Sequence, residues 1–123
     1  MITYYYNEKT DILEVKYQGR VDVTELIDYG DQISMDQNLP GKLKVLTDVS
    51  EAEYAVDQEE LPQLLEALKR HVSRFDYIKA AFIQSKPYET AVSYLLEDEN
   101  RLNNYFHKVF SKRDAAVRWL LGR

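Results

Sequence analysis

The sequence predicts an α/β fold: a single-layer, mixed but mainly parallel five-stranded sheet with four helices, in the order β-β-α-β-α-β-α-β-α. Three observations predict it. The first two strand-like segments are short and joined by a polar turn, as in a hairpin. From Asp22 onward, helical segments of period 3.6 take turns with short apolar runs, the pattern of parallel strands joined by right-handed crossovers. Three of the helical segments open on Asp or Ser with an acid three residues later, the signature of a capped N-terminus.

Residues 3–6 are a tyrosine-rich run, a composition enriched in strands. Residues 7–11 are polar. Residues 12–17 then alternate, Leu13, Val15 and Tyr17 against Glu14 and Lys16, and Gly19 closes this second strand. The first strand is expected to run antiparallel to the rest. Asp22 with Glu25 starts a helix whose apolar stripe is Val23, Leu26, Ile27, Gly30 and Ile33. Glycine is costly inside a helix, so its place on the stripe predicts a close backbone approach to the sheet. Asn38-Leu39-Pro40-Gly41 stops the helix. Residues 43–49, apolar on both sides, read as a central parallel strand, and residues 50–56 as a loop.

Asp57 and Glu60 open the next helix, with Leu61, Leu64, Leu65, Leu68 and Val72 on its buried face. Its acids lie in the first turn and Lys69, Arg70 and His71 in the last, complementing the helix dipole. Residues 77–84 form the most apolar strand. Ser85-Lys86-Pro87 opens a helix with Tyr88, Ala91, Val92, Leu95, Leu96 and Leu102 inward, ended by Asn103-Asn104. Residues 105–110 are the last strand. Ser111 caps the last helix with Asp114 in the box position, and Ala116, Val117, Leu120 and Leu121 face inward beside a half-buried Trp119. No repeat or linker interrupts this order, so residues 1–123 are expected to form one domain.

Composition excludes several classes of function. The 123 residues are 45% hydrophobic and 30% charged, a globular mixture. With no cysteine, disulfides, zinc ribbons, iron–sulfur clusters and thiol nucleophiles are out. A net charge of −5 argues against non-specific nucleic-acid binding. No apolar run approaches the roughly 18 residues of a membrane span, and residues 1–9 lack a signal-peptide pattern, so a cytoplasmic location is expected. Four glycines, at positions 19, 30, 41 and 122, leave no phosphate-cradling loop and no nucleophile elbow.

No catalytic residue, cofactor or metal site emerges. His71 reads as a helix C-terminal residue and His107 as a strand histidine. Glu97-Asp98-Glu99 points in three directions around a helix. Asp48 and Asp57 can approach each other across one end of the sheet, but capping already accounts for Asp57. In a parallel α/β sheet, ligands gather at the carboxyl ends of the strands. There, Asp48, Ser50, Ser85, Lys86, Ser111 and Lys112 form a candidate rim of hydroxyls, ammonium groups and a carboxylate, with Gln58 at the following helix start. Helix N-termini make such a rim friendly to anions.

Two stretches resemble a known family. Val45-Leu46-Thr47-Asp48-Val49-Ser50, followed by Val56-Asp57-Gln58-Glu59-Glu60-Leu61, is similar to the anti-sigma factor antagonist (STAS) signature, in which a strand ends in Asp-Leu-Ser and Ile-Asp-Ser-Ser-Gly-Leu opens the next helix. The ending Val109-Phe110-Ser111-Lys112-Arg113-Asp114-Ala115-Ala116-Val117-Arg118-Trp119-Leu120 resembles its SpoIIAA-like branch, small bacterial proteins also described as STAS/SEC14-like. The resemblance implies a mixed sheet with helices and a protein-binding or small-ligand-binding regulatory module without enzymatic activity. The serine phosphorylated in those regulators falls here on Gln58, which has no hydroxyl, so the resemblance implies no phospho-switch at that position.

The leading expectation is thus a non-enzymatic SpoIIAA-like binding or regulatory module with a protein partner. The alternative is a carrier of a lipid or small apolar ligand, and the third reading is a small hydrolase or transferase working at the strand-end rim.

Overall fold

Asn7 ends β1 (Ile2–Asn7), and the chain reverses through a polar turn in which the Asp11 N–H donates to the Asn7 carbonyl at 2.8 Å. Asp11 takes φ 62°, a left-handed conformation that Asp tolerates better than most residues. β2 (Ile12–Asp22) therefore returns antiparallel to β1, pairing Ile2 with Tyr17 and Asn7 with Ile12. In the computed structural model, which describes residues 1–84 and 103–122, the remaining strands β3 (Lys42–Ala55), β4 (Tyr77–Ile83) and β5 (Tyr105–Phe110) all run parallel to β2. The sheet order is β1-β2-β3-β4-β5, a mixed, mainly parallel five-stranded sheet as the sequence predicts. The helix expected between β4 and β5, with Ser85 and Lys86 at its start, lies outside the described residues.

Sequential parallel strands with crossovers of one hand carry their helices on one face. α1 (Val23–Met35) and α2 (Leu61–Val72) lie on that face, over Leu13, Val15, Val45, Ile78 and Ala80. α3 (Arg113–Leu120) covers the opposite face, where Ala116 and Leu120 pack on Ile12, Leu46 and Ala81. None of the helices among the described residues is long and apolar enough to cross a membrane.

Two boundaries differ from the sequence reading. β2 does not stop at Gly19. It passes through that glycine, which adopts φ 68°, and ends at Asp22. Residues 50–56 are not a loop, because β3 continues to Ala55. The cause is a bulge. Lys16 pairs with Asp48 and Gln18 with Glu51, so Val49 and Ser50 together oppose Tyr17. An extra residue switches the inward-facing set of a strand. Before the bulge Leu43, Val45, Thr47 and Val49 are buried, and after it Ala52 and Val56 are, with Tyr54 packed on the same core.

The helix starts also depart from simple capping boxes. Asp22 Oδ1 accepts the Glu25 N–H at 2.9 Å, as predicted. The Glu25 carboxylate, however, accepts the Ile2 N–H at 3.0 Å and lies 3.3 Å from the N-terminal ammonium, tying β1 to α1. The predicted Asp57–Glu60 box is present, the Asp57 N–H donating to Glu60 Oε1 at 2.9 Å, but the turn it opens is 3-10 (Gln58–Glu60), and α2 begins after it with Pro62 near its start. Ser111 is not the cap of α3. That position is Lys112, whose side chain has no acceptor for the free N–H groups and makes no cap bond. The helix start is anchored instead by Arg113, which donates to both oxygens of Glu14 at 2.7 and 2.9 Å.

Gly30 does mark a close approach, but to α2, not to the sheet. A Cβ built on it would lie 2.1 Å from His71 Nδ1 and 2.2 Å from its Cε1. The imidazole occupies the space a side chain would need, and its Nε2 sits 2.7 Å from Asp31 Oδ1. Trp119 is half-buried, its ring centroid 5.7 Å from that of Phe110. Lys79 Nζ lies 4.5 Å from the indole centroid and donates to the Trp119 carbonyl, so one cation closes both the ring and the end of α3.

Two outcomes follow from this packing. Gly30→Ala destabilises the fold by about 1–3 kcal/mol through overpacking against His71, and adding His71→Ala recovers part of the loss. Equal melting temperatures for Gly30→Ala and the parent protein would show that the two helices do not meet there. Trp119 emits to the blue of free tryptophan and is weakly quenched by iodide. A red, readily quenched emission would place the ring in solvent.

Candidate functional site

The inward alternation of four parallel strands does not fill all the space beneath α1 and α2. A cavity of about 130 Å³ remains between the helices and the sheet. Its floor is aliphatic: Val45 from β3 and Ile78 and Ala80 from β4. One small residue makes room for it, Ala80 in the centre of the sheet. The walls are aromatic, with Tyr17 from β2, Tyr54 from β3, Phe82 from β4, Tyr105 and His107 from β5, and Tyr29 from α1.

These rings pack by their edges. Tyr17 meets Tyr29 and Tyr54 at centroid separations of 6.0 and 6.2 Å, both T-shaped, and Tyr29 meets Tyr4 at 5.9 Å. Such edge-to-face pairs set the positive rim of one ring on the negative face of the next. Burial pushes the phenols of Tyr17 and Tyr29 far up from their ordinary value, so both stay protonated.

His107 stacks on Phe82 with centroids 4.4 Å apart and rings 13° from parallel. Its Nδ1 is 3.1 Å from the Tyr105 hydroxyl, and its Nε2 is buried without a hydrogen-bond partner. Burial lowers its pKa to about 4, so the imidazole is neutral at pH 7. His71 also lines the cavity, but its Nε2 is already engaged by Asp31, which Arg70 approaches to 3.7 Å. Among the described residues the lining holds no Lys, Arg, Asp or Glu, and no group of three His, Asp or Glu could hold a metal ion. An aliphatic floor beneath phenols and a neutral imidazole is suited to binding an apolar body with limited polarity.

The rim residues singled out from the sequence lie elsewhere. Asp48 shares the α3 face of β3 with Leu46, in register with Ile83, which in turn pairs with Phe110. Its Oδ1 accepts both the Ser50 N–H at 2.9 Å and the Ser50 hydroxyl at 2.6 Å. Ser111 and Lys112 follow Phe110, so the sheet brings them level with Asp48 and Ser50, and both are exposed. Gln58 is not part of this group. The rest of β3 carries it on the order of 20 Å further along the strand direction. Ser85 and Lys86 are outside the described residues.

Sequence reasoning missed the cavity aromatics as a group. The sequence reading assigns residues 3–6 to a strand and residues 50–56, with Tyr54, to a loop, and does not bring these rings together. The available signal was compositional: 10 tyrosines in 123 residues, several at inward strand positions.

His107 gives a measurable pH dependence. Because its folded pKa is lowered, the unfolded chain takes up a proton below about pH 6.5 that the folded chain refuses until about pH 4. The corresponding stability is complete above pH 6.5 and is lost as the pH falls toward 4, about 3 kcal/mol over the whole interval. His107→Phe keeps the stack on Phe82 and removes this loss. Urea titrations from pH 7 to 4.5 should show a shallower slope for the variant, and identical slopes would mean that the imidazole charges freely in the folded state.

No family model matches the chain, and no curated protein is similar to it. Among solved structures it is similar to an uncharacterized protein of the DUF3478 family, with a SpoIIAA-like fold, from Shewanella loihica PV-4. The match covers 97% of this chain and 93% of that one, with a TM-score of 0.67 and 15% sequence identity. At that identity the likeness speaks to architecture, and it agrees with the resemblance carried by the strand-end and C-terminal motifs: the chain has a SpoIIAA-like fold.

Proposed function

We propose that this chain is a non-enzymatic binding module of the SpoIIAA-like type whose ligand site is the cavity beneath α1 and α2. The observation that carries this reading is the cavity itself. It is apolar on its floor, walled by Tyr17, Tyr29, Tyr54 and Tyr105, and touched by a neutral His107. Apolar pockets with a few convergent polar groups are the usual form of small-molecule sites. The SpoIIAA-like architecture supports a binding role in general but not a choice of ligand.

A protein partner at the strand-end rim is the second reading. It is favoured by one observation, the exposed Ser50 held on Asp48 at the level of Ser111 and Lys112. Native mass spectrometry of the protein as purified separates the two. A small-molecule adduct that leaves on collisional activation, and that is absent from Ala80→Leu, supports the cavity. A bare chain that forms a stoichiometric complex lost on Ser50→Glu or Lys112→Glu supports the rim.

A further inference from the structure

We propose that the cavity takes a single uncharged aromatic ring, of the toluene or phenol class, and not a charged amphiphile or a long acyl chain. The proposal rests on the cavity-binding reading and narrows its ligand. Three observations carry it.

The first is size. The cavity measures about 130 Å³. An apolar cavity of roughly 150 Å³ holds one benzene, whereas sites for drug-sized molecules begin near roughly 300 Å³. That volume matches one ring and is too small to hold a whole extended chain.

The second is shape and surface. Tyr17 already stands edge-on to Tyr29 and Tyr54, and His107 lies flat on Phe82. A ring entering above Ala80 would lie among these aromatic side chains and continue the pattern. Aliphatic ligands of equal volume forgo those contacts.

The third is charge. Among the described residues the lining carries no Lys or Arg to meet an anion and no Asp or Glu to meet a cation. His71 is committed to Asp31, and burial keeps His107 neutral. A carboxylate placed here would find no countercharge among the described residues, which is strongly unfavourable for a buried anion. A phenolic hydroxyl is tolerated, because it can donate or accept and so suits either tautomer of a histidine.

The test is an amide NMR titration of the full chain at pH 7 with five probes: toluene, p-cresol, benzoate, tetramethylammonium and decanoate. Toluene and p-cresol should give saturable shifts at Tyr17, Ala80, Phe82 and His107. Benzoate and tetramethylammonium should bind at least about tenfold more weakly, reflecting the unpaired buried charge. Ala80→Leu, which fills the floor, should abolish the toluene shifts. If that variant does not fold, the smaller Ala80→Val should still weaken toluene several-fold.

Benzoate or tetramethylammonium matching toluene overturns the uncharged-ring assignment. Decanoate binding where toluene does not, or a co-purified lipid at the same residues, overturns it too while leaving a cavity-binding module in place. No probe binding and no adduct in the native mass spectrum defeats both readings.

Discussion

The pairing of β2 with β3 governs the α1–α2 side of the molecule, and within it the decisive feature is the bulge where Val49 and Ser50 together face Tyr17. A strand that kept strict alternation from Val45 would send Tyr54 and Val56 to the α3 face. The extra residue returns them to the inward face, where Tyr54 packs edge-on against Tyr17 at 6.2 Å. It also lets β2 and β3 run on together past the ends of β4 and β5, to Asp22 and Ala55. Asp22 is thereby placed to cap α1, and the short turn at Gln58–Glu60 to launch α2. One side wall of the cavity and the entry points of both helices above it thus depend on the same irregularity.

The sheet divides the molecule into two faces with different chemistry. On the α3 side, charge is used for anchorage. Arg113 grips the largely buried Glu14 with two hydrogen bonds, and Lys79 serves the Trp119 ring and carbonyl together. Charge-assisted hydrogen bonds of this kind are stronger than neutral ones. On the α1–α2 side the acids are partly exposed, Glu25 against the N-terminus and Asp31 against Arg70 and the buried His71. The interior between them is left to aromatic and aliphatic residues and the two histidines, His71 and His107. Gly30 sets how near the helices come, since the His71 ring fills what would be its side-chain space.

Much of this architecture is legible in the sequence, because parallel α/β order is written in alternating periods. The hairpin, the helix starting after Asp22 and the apolar run of β4 each announce themselves. The second half of β3 does not. Ala52, Tyr54 and Val56 alternate correctly, but the bulge puts them out of phase with Val45 and Thr47, and the interspersed Ser50, Glu51 and Glu53 read as a loop. Ser111 looks like a cap because its type and spacing are right. Cap position is set by where the helix is anchored, and the Arg113–Glu14 pair joins residues remote in sequence. The cavity was illegible for a related reason. It consists of missing volume over Ala80, and missing volume appears only once strands and helices are assembled.

That missing volume has an energetic meaning. Enclosed cavities in protein cores cost about 24 cal/mol per Å³, so about 3 kcal/mol is the upper bound on the packing lost at this partly open void of about 130 Å³. Marginally stable domains have only about 5–15 kcal/mol in all. A larger residue at position 80 would reclaim part of that space without adding a polar group, and cavity-filling changes of this kind are among the commonest stabilising substitutions. The arrangement around the void adds to the cost. A histidine sits in it with a buried nitrogen that makes no hydrogen bond, where a phenylalanine would keep the stack on Phe82. A fold shaped by stability alone has no reason to keep an alanine floor and an unsatisfied imidazole side by side. The ligand proposed above would restore the contacts that the void forgoes.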